Sequence, residues 1–382
     1  LKSVHTMCTM LTGLFGTAMT TASSRRELVY RRSCDGGVAI ANKPALSRSK
    51  AGKSYLICKV VCAGLNPVDA KYLMGDKLPH WIDNIIGRRS VEGFGVGFDF
   101  AGIVEYAPED CQYKVGDHVF GTTDIGTASV ADTCYVPLHQ VASKPESLTF
   151  AEAAALPLVG LTALQALKPH CIDGTSVLVI GASGGVGHVA MQVAKSLGAV
   201  VTAICGPREG MALVKSIGCA SPQNIVDYVN DDVKESLLKI VSGDGDQKLF
   251  DICFDTVTSS NESDAAAGYP HLITKDGDLL SENGKYITIG GTCLSWIRAG
   301  VKRIIGLSLF PKNKELFWIR FPHSSGELLQ LSKFANDKTL KPKVSREIPF
   351  QDEAAIQTAM KDLLGRRVKG KLVVRVALDP DI

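Results

Sequence analysis

No stretch of this sequence reaches the roughly 18–20 uninterrupted apolar residues that a membrane-spanning helix needs. Charge of one sign is not in excess either: 42 Lys and Arg stand against 39 Asp and Glu, a net charge of +3. With no basic run interleaved with aromatics, that balance gives no footprint for a nucleic-acid partner. Paired cysteines are also missing. The 11 cysteines are odd in number, scattered, and never spaced Cys-x-x-Cys. That pattern argues against a disulfide framework or zinc knuckle and for buried thiols in a reducing compartment. Finally, the first 26 residues contain no Asp or Glu. They are rich in Thr and Ser and carry Lys2, Arg25 and Arg26, a composition that fits an organelle transit peptide. A mitochondrial destination is expected, with cytoplasm and plastid as alternatives. A disordered leader, or translated sequence upstream of a start at Met7, Met10 or Met19, are the other readings.

What is present is an ordinary globular composition. Of 382 residues, 45% are hydrophobic and 21% charged, enough for two or three domains or one large one. From Glu27 to about Phe150 the chain reads as short strands broken by turns, with Tyr55–Val61 ended by Ala63-Gly64-Leu65-Asn66-Pro67. Ala151–Leu167 has helical character, interrupted at Pro157. Strands and helices then alternate: strand Ser176–Ile180, helix Gly185–Leu197, strand Val200–Ile204, helix Met211–Ile217, strands Asp251–Asp255 and Lys285–Ile289. That alternation predicts βαβ units and a parallel sheet. Helix Ser325–Phe334 and strand Lys371–Val376 read as a return to the first domain.

Ser176–Ile180 is a continuous apolar run of the kind buried on both faces of a parallel sheet. It leads into Gly181-Ala182-Ser183-Gly184-Gly185-Val186-Gly187, and Val186, Val189, Ala190, Val193, Ala194 and Leu197 follow at helical spacing. A glycine pattern alone is weak, but strand, glycine turn and helix in this order point to a dinucleotide site. Missing side chains let the backbone approach a pyrophosphate, whose charge meets free amides and the positive end of the helix. Ala182 replaces the first glycine of the usual pattern. An NAD site usually carries Asp or Glu at the end of the second strand, on the ribose 2′-hydroxyl. Here that strand ends in Cys205-Gly206-Pro207-Arg208. No carboxylate repels a 2′-phosphate, and Arg208 can pair with one bidentately, with Lys215 and Tyr228 nearby to assist. NADPH is therefore favoured over NADH.

Several segments together resemble the medium-chain dehydrogenase/reductase superfamily, in its zinc-free quinone oxidoreductase branch. They are Gly64–Lys71, Gly97–Gly102, Val115–Gly121, Leu156–Leu167, the glycine turn and Gly370–Val374, in the family's order over residues 28 to 378. Within the branch the chain is similar to reticulon-4-interacting-protein-1-like and alkenal reductase-like members. The resemblance implies an α/β fold: a GroES-like, mostly-β catalytic domain and a Rossmann doubly wound parallel-sheet domain, with nicotinamide and substrate in the cleft between. The expected limits are a leader over 1–26, the catalytic domain over 27–160 and 319–382, and the Rossmann domain over 161–318. Zinc-dependent relatives place a Cys where this chain has Asn66 and a His where it has Phe98, so a tetrahedral catalytic zinc is not expected.

The resemblance then implies hydride transfer from NADPH to a quinone or an α,β-unsaturated carbonyl, the acceptor oxygen being held by hydrogen bonds. Lys71 and Asn66 match loop positions facing the nicotinamide end, although a solvated lysine and a turn-stabilising asparagine fit them too. Tyr72 is the remaining catalytic candidate, as a proton donor. Asp69 and Asp99 are expected to hold loops together. Thr162 matches a nicotinamide-contacting position, and Gly290, directly after strand Lys285–Ile289, completes a cofactor set with residues 182–187, Arg208, Lys215 and Tyr228. Substrate contacts are expected from Gly75–Arg89 and near Phe310–Phe321. An enoyl-thioester reductase is disfavoured by Lys77, where such enzymes carry a tyrosine. An accessory subunit with a mainly structural role is the alternative from another class. A small-molecule substrate and either a homodimer or membership of a larger complex are the expected partners.

Overall fold

The structure, a computed structural model, describes residues 24–31, 37–71, 92–243, 248–257, 268–276, 279–290, 293–305, 314–317, 319 and 324–377. It opens on an antiparallel pair, β1 (Ser24–Tyr30) and β2 (Val38–Pro44). Next come β3 (Tyr55–Leu65), β4 (Asp99–Tyr106), β5 (His118–Thr122), β6 (Thr133–Pro137) and β7 (Val141–Ser143). The alternating half supplies β8 (Ser176–Ile180), β9 (Val200–Cys205), β10 (Ile225–Asp227), β11 (Phe250–Asp255), β12 (Leu280–Thr288) and β13 (Lys314–Leu316). Two late strands, β14 (Val344–Pro349) and β15 (Lys371–Arg375), return to the first group.

One sheet has the order β14-β15-β3-β4-β5-β7, with β6 pairing β3. The other has the order β10-β9-β8-β11-β12-β13, and all of its pairs are parallel. The chain builds outward from β8 to β10, then crosses back to lay β11 on the other side of β8. This is the doubly wound α/β arrangement expected from the sequence, and its switch point lies between β8 and β11. Ligands of such sheets sit outside the carboxyl ends of the strands at that point. Every residue of β8 is buried, as its unbroken apolar run requires.

Pro157 does not merely interrupt a helix. A first helix, Phe150–Ala154, starts on a capping box between Thr149 and Glu152. A second, Pro157–Leu167, begins with the proline at a position where its missing amide costs nothing. It packs against helices Gly187–Ser196 and Ser325–Asn336. Leu161 and Leu164 on it are fully buried in an apolar cluster that runs from Val61, Ala101 and Val373 of one sheet to Val177 and Phe254 of the other. Burying each of these leucines contributes roughly 2 kcal/mol, so the helix joins the two sheets into one core.

One boundary is corrected. Ser24, Arg25 and Arg26, assigned from composition to the leader, are the first residues of β1 and pair with Pro44, Lys43 and Asn42. Arg26 forms an ion pair with Asp132 at 2.8 Å. The two arginines that make the leader look basic therefore belong to the fold.

Candidate functional site

The glycine turn leaves the carboxyl end of β8 at the switch point. Its amides at Gly181 and Ala182 both donate to Ile204 O of β9, at 3.0 and 2.9 Å. The four glycines have different reasons to be glycine. Gly181 has φ +78°, and a Cβ there would lie 2.3 Å from Val257. A Cβ on Gly187 would lie 2.1 Å from Gly181 O. These two close the turn onto itself. At Gly184 a Cβ would meet only Gly181 O at 3.3 Å, and at Gly185 nothing nearer than 3.5 Å. A Cβ at Gly184 would be tight against that carbonyl, whereas packing makes no such demand at Gly185, where bare backbone leaves room for a ligand drawn close. Helix Gly187–Ser196 starts beside them and turns the positive end of its dipole toward the turn. The cradle thus fits a pyrophosphate.

Ala182 is fully buried with its amide spent on Ile204. Within the expected cofactor set it is the member whose amide is already used, in shaping the turn. Ser183 is also buried, and its carbonyl accepts from Gly370 N at 3.0 Å. Val186 caps the helix and is partly exposed.

At the end of β9 the chain turns through Gly206, Pro207 and Arg208. Gly210 N donates to Pro207 O at 3.2 Å, and Arg208 sits between them at φ 53°, ψ −110°. That is the first central position of a type II′ turn, where glycine is the usual occupant. Tyr228 donates its amide to Cys205 O at 3.1 Å, and its ring lies 3.3–3.6 Å from where a Gly206 Cβ would stand. Arg208, Lys215 and Tyr228 are all exposed, and all three lie about this strand end. A fourth residue joins them. The Lys369 Cε lies 3.8 Å from an ideal Gly210 Cβ, with Ser183 Oγ at 3.1 Å on the same side. Burial, with Asp227 beside it, pushes the Cys205 thiol up to about 11, while Lys369 and Lys215 pull the other way. Among the described residues no carboxylate pairs with Arg208, Lys215 or Lys369. Sequence reasoning missed Lys369, because it comes from the strand entry of the other sheet and no local pattern marks it.

The second half of the site is a buried polar cluster beside that same entry. Lys371, 3% exposed, donates from Nζ to Leu65 O at 3.0 Å and to Asn66 Oδ1, and lies 3.5 Å from Asp99 Oδ2. Asn66 Nδ2 donates to Asp99 Oδ2 at 2.9 Å. Asp99 Oδ1 accepts from Leu158 N at 2.9 Å, fixing the start of helix Pro157–Leu167. Asp69 Oδ2 accepts from Asn66 N at 2.8 Å, and Tyr30 Oη donates to Asp69 O at 3.0 Å. Burial pushes the Asp69 carboxyl up to about 7, with Asp99 adding and with Asn66 and Lys371 opposing. Asp69 Oδ1 is buried with no hydrogen-bond partner among the described residues. Burial raises Asp99 and lowers Lys371, each partly offset by the other.

Asn66 is therefore fully buried with both ends of its amide engaged. Of the two roles expected for it, facing the nicotinamide end or stabilising the turn, these bonds serve the second: they tie the start of the short helix Pro67–Lys71 to Asp99 and Lys371. Lys71 ends that helix; its side chain, Tyr72, Lys77 and the segment 75–89 lie outside the described residues. Thr162 is 6% exposed and donates its hydroxyl to Leu158 O at 2.7 Å, leaving only its lone pairs for a ligand. Gly290 follows β12 at the carboxyl edge of the parallel sheet and is partly exposed. Phe98 shares a small apolar hollow with Tyr30, Phe94 and Ile125. Among the described residues no group of three or more His, Cys, Asp or Glu could hold a metal ion.

Known proteins share this architecture. A family model described as zinc-binding dehydrogenase matches residues 223–374. The mitochondrial NAD(P)H oxidoreductase RTN4IP1 of Mus musculus is 28% identical over 352 residues, covering 84% of this chain and 81% of that protein. The chloroplast envelope quinone oxidoreductase homolog of Arabidopsis thaliana is 34% identical over 284 residues, covering 69% of this chain and 77% of that protein. Among solved structures, the quinone oxidoreductase from Coxiella burnetii matches with a TM-score of 0.70 at 24% identity, over 93% of this chain and 100% of that one. At that identity the likeness speaks for the fold alone.

Proposed function

The chain belongs to the medium-chain dehydrogenase/reductase superfamily, in its quinone oxidoreductase branch, and from that membership we propose a zinc-independent, NADPH-dependent reductase of quinones or α,β-unsaturated carbonyls. The observation that carries the cofactor is the group of three cations without carboxylate partners at the end of β9. Three such charges beside one strand end, with no carboxylate to neutralise them, match a 2′-phosphate. Gly184, Gly185 and Val186 would receive the pyrophosphate, and Arg208, Lys215, Tyr228 and Lys369 the 2′-phosphate. Thr162 and Gly290 would border the nicotinamide end. Bound there, NADPH would supply the hydride equivalent.

The remaining chemistry falls to the chain's own residues. Asn66 and Asp99, tied by Lys371, hold the Pro67–Lys71 helix so that Lys71 can offer a charged donor to the acceptor oxygen, where a fixed donor lowers the barrier most. Tyr72 is the proposed proton source, with solvent as the fallback. A zinc ion is disfavoured by electrostatics. Asn66, at the position of a zinc-binding cysteine in the relatives, has its Oδ1 on the Lys371 ammonium. A metal bound at that atom would meet a buried charge of its own sign.

The test is NADPH oxidation against a panel of quinones and enones, repeated after exhaustive chelation. Turnover that survives chelation is expected. Tight NADPH binding with no oxidation by any acceptor would refute the reductase and leave the accessory-subunit role. Activity that dies with the chelator and returns with zinc would refute the metal-free chemistry.

A further inference from the structure

We infer that His188 is a positioning residue for the dinucleotide, setting the direction in which the glycine turn presents the amide of Gly185. The inference rests on the NADPH site proposed above. His188 is fully buried in the first turn of helix Gly187–Ser196 and stands between two backbone groups. Its Nδ1 lies 2.8 Å from Gly184 O, and Lys343 N lies 3.0 Å from its Nε2. An amide can only donate, so Nε2 is the acceptor, and Nδ1 carries the proton and donates to Gly184 O. Burial depresses the imidazole to about 4, which keeps it in this neutral tautomer at physiological pH.

The consequence follows from the peptide unit. The bond between Gly184 and Gly185 is planar and trans, so its carbonyl and its amide point in opposite directions. Fixing the carbonyl inward turns the Gly185 N–H the other way, into the cradle where a Cβ at Gly185 would meet nothing nearer than 3.5 Å. Gly184 O also accepts the His188 amide, at a longer 3.2 Å. Backbone and imidazole of one residue thus clamp both lone pairs. Two adjacent glycines form the freest stretch a backbone has, and without the second clamp this peptide is the one able to tilt its carbonyl toward an incoming phosphate. A hydrogen bond accepted at the carbonyl also polarises the peptide and strengthens its N–H as a donor.

The other side of the ring has a separate duty. Gln192, one helical turn on, accepts from Lys341 N at 2.8 Å and donates to Lys341 O at 3.1 Å. Together with the bond from Lys343 N, it staples the helix to the segment leading into β14. Lys343 O in turn accepts from Lys371 N at 2.9 Å. The two ring nitrogens can therefore be separated by substitution.

In His188→Gln the side-chain oxygen can still accept from Lys343 N, but no donor remains at the Nδ1 position. In His188→Asn the side-chain NH2 takes the place of Nδ1, and the staple is lost. NADPH and adenosine 2′-phosphate, which lacks the pyrophosphate, are titrated into each purified protein. His188→Gln is expected to bind NADPH about tenfold more weakly and adenosine 2′-phosphate within twofold of the unaltered chain. His188→Asn is expected to keep NADPH affinity within threefold, despite a lower melting temperature. Equal weakening of both ligands, unchanged NADPH binding in His188→Gln, or failure of His188→Asn to restore it overturns the inference. If the unaltered protein does not bind NADPH, the proposed function falls, and this role for His188 falls with it.

Discussion

Arg208 occupies a backbone conformation that suits glycine, and this makes one substitution informative in two directions. At φ 53°, ψ −110° a side chain costs on the order of 1–3 kcal/mol in local strain. Replacing Arg208 by alanine keeps a Cβ and hence the strain, while replacing it by glycine removes it. Glycine also loosens the unfolded chain, worth about 0.4–1 kcal/mol against it. The net expectation is that Arg208→Gly is more stable than Arg208→Ala by about 1 kcal/mol, measured by urea denaturation without cofactor. Both variants lose the guanidinium. Because Arg208 is exposed, the loss for NADPH should be modest, about tenfold or 1.4 kcal/mol, and equal in the two, with NADH little changed. Calorimetric titration of both dinucleotides into both variants reads this out. A strained residue kept at a ligand contact is then a stability cost offset by binding. Equal loss of NADH and NADPH refutes the 2′-phosphate assignment, and an alanine variant as stable as the glycine one refutes the strain argument.

Asp69 gives a pH test. Its folded value of about 7 lies above the ordinary 3.8, so between these values the folded chain holds a proton that the unfolded chain has released. The contribution is complete below 3.8 and is lost as pH rises through 7, at about 1.4 kcal/mol per pH unit between them. Asp69→Asn is neutral throughout, so its stability relative to the unaltered chain should rise from pH 4.5 to 7 and level off above; His188 titrates in both proteins and cancels. A pH-independent difference in urea denaturation counts against the buried, proton-holding carboxyl.

What could be read in advance follows distance along the chain. The turn after β8 was legible because strand, glycines and helix are contiguous, and each carries its own local requirement. The end of β9 was legible for the same reason, since Cys205 to Arg208 directly continue a strand. Lys369 and Lys371 were not, although Lys371 sits in a quoted motif and Lys369 stands one residue before it. Their roles depend on β15 lying between β14 and β3, and no local pattern states that pairing. Asn66 shows the same limit from the other side. Its type suits both a cleft position and a turn, and its burial against Lys371 and Asp99 could not be read from the local sequence. The leader boundary failed because Arg25 and Arg26 look like targeting charges until Asp132, far along the chain, supplies a partner.

The place of β15 has a consequence for how the molecule is made. It is the last strand described, yet it lies inside its sheet, parallel to β14 and antiparallel to β3. A ribosome therefore delivers this inner strand only after β3, β4, β5 and the whole of the parallel sheet have been made. The parallel sheet comes from consecutive sequence and can assemble early, while the Cys62–Leu65 end of β3 waits with one edge unpaired, an exposed template for wrong partners. Asp99 and Asn66 wait as well, for the ammonium that Lys371 brings. An unfinished chain thus lacks both the closing strand and the charge that settles its interior, and the two arrive together in a single stretch of five residues.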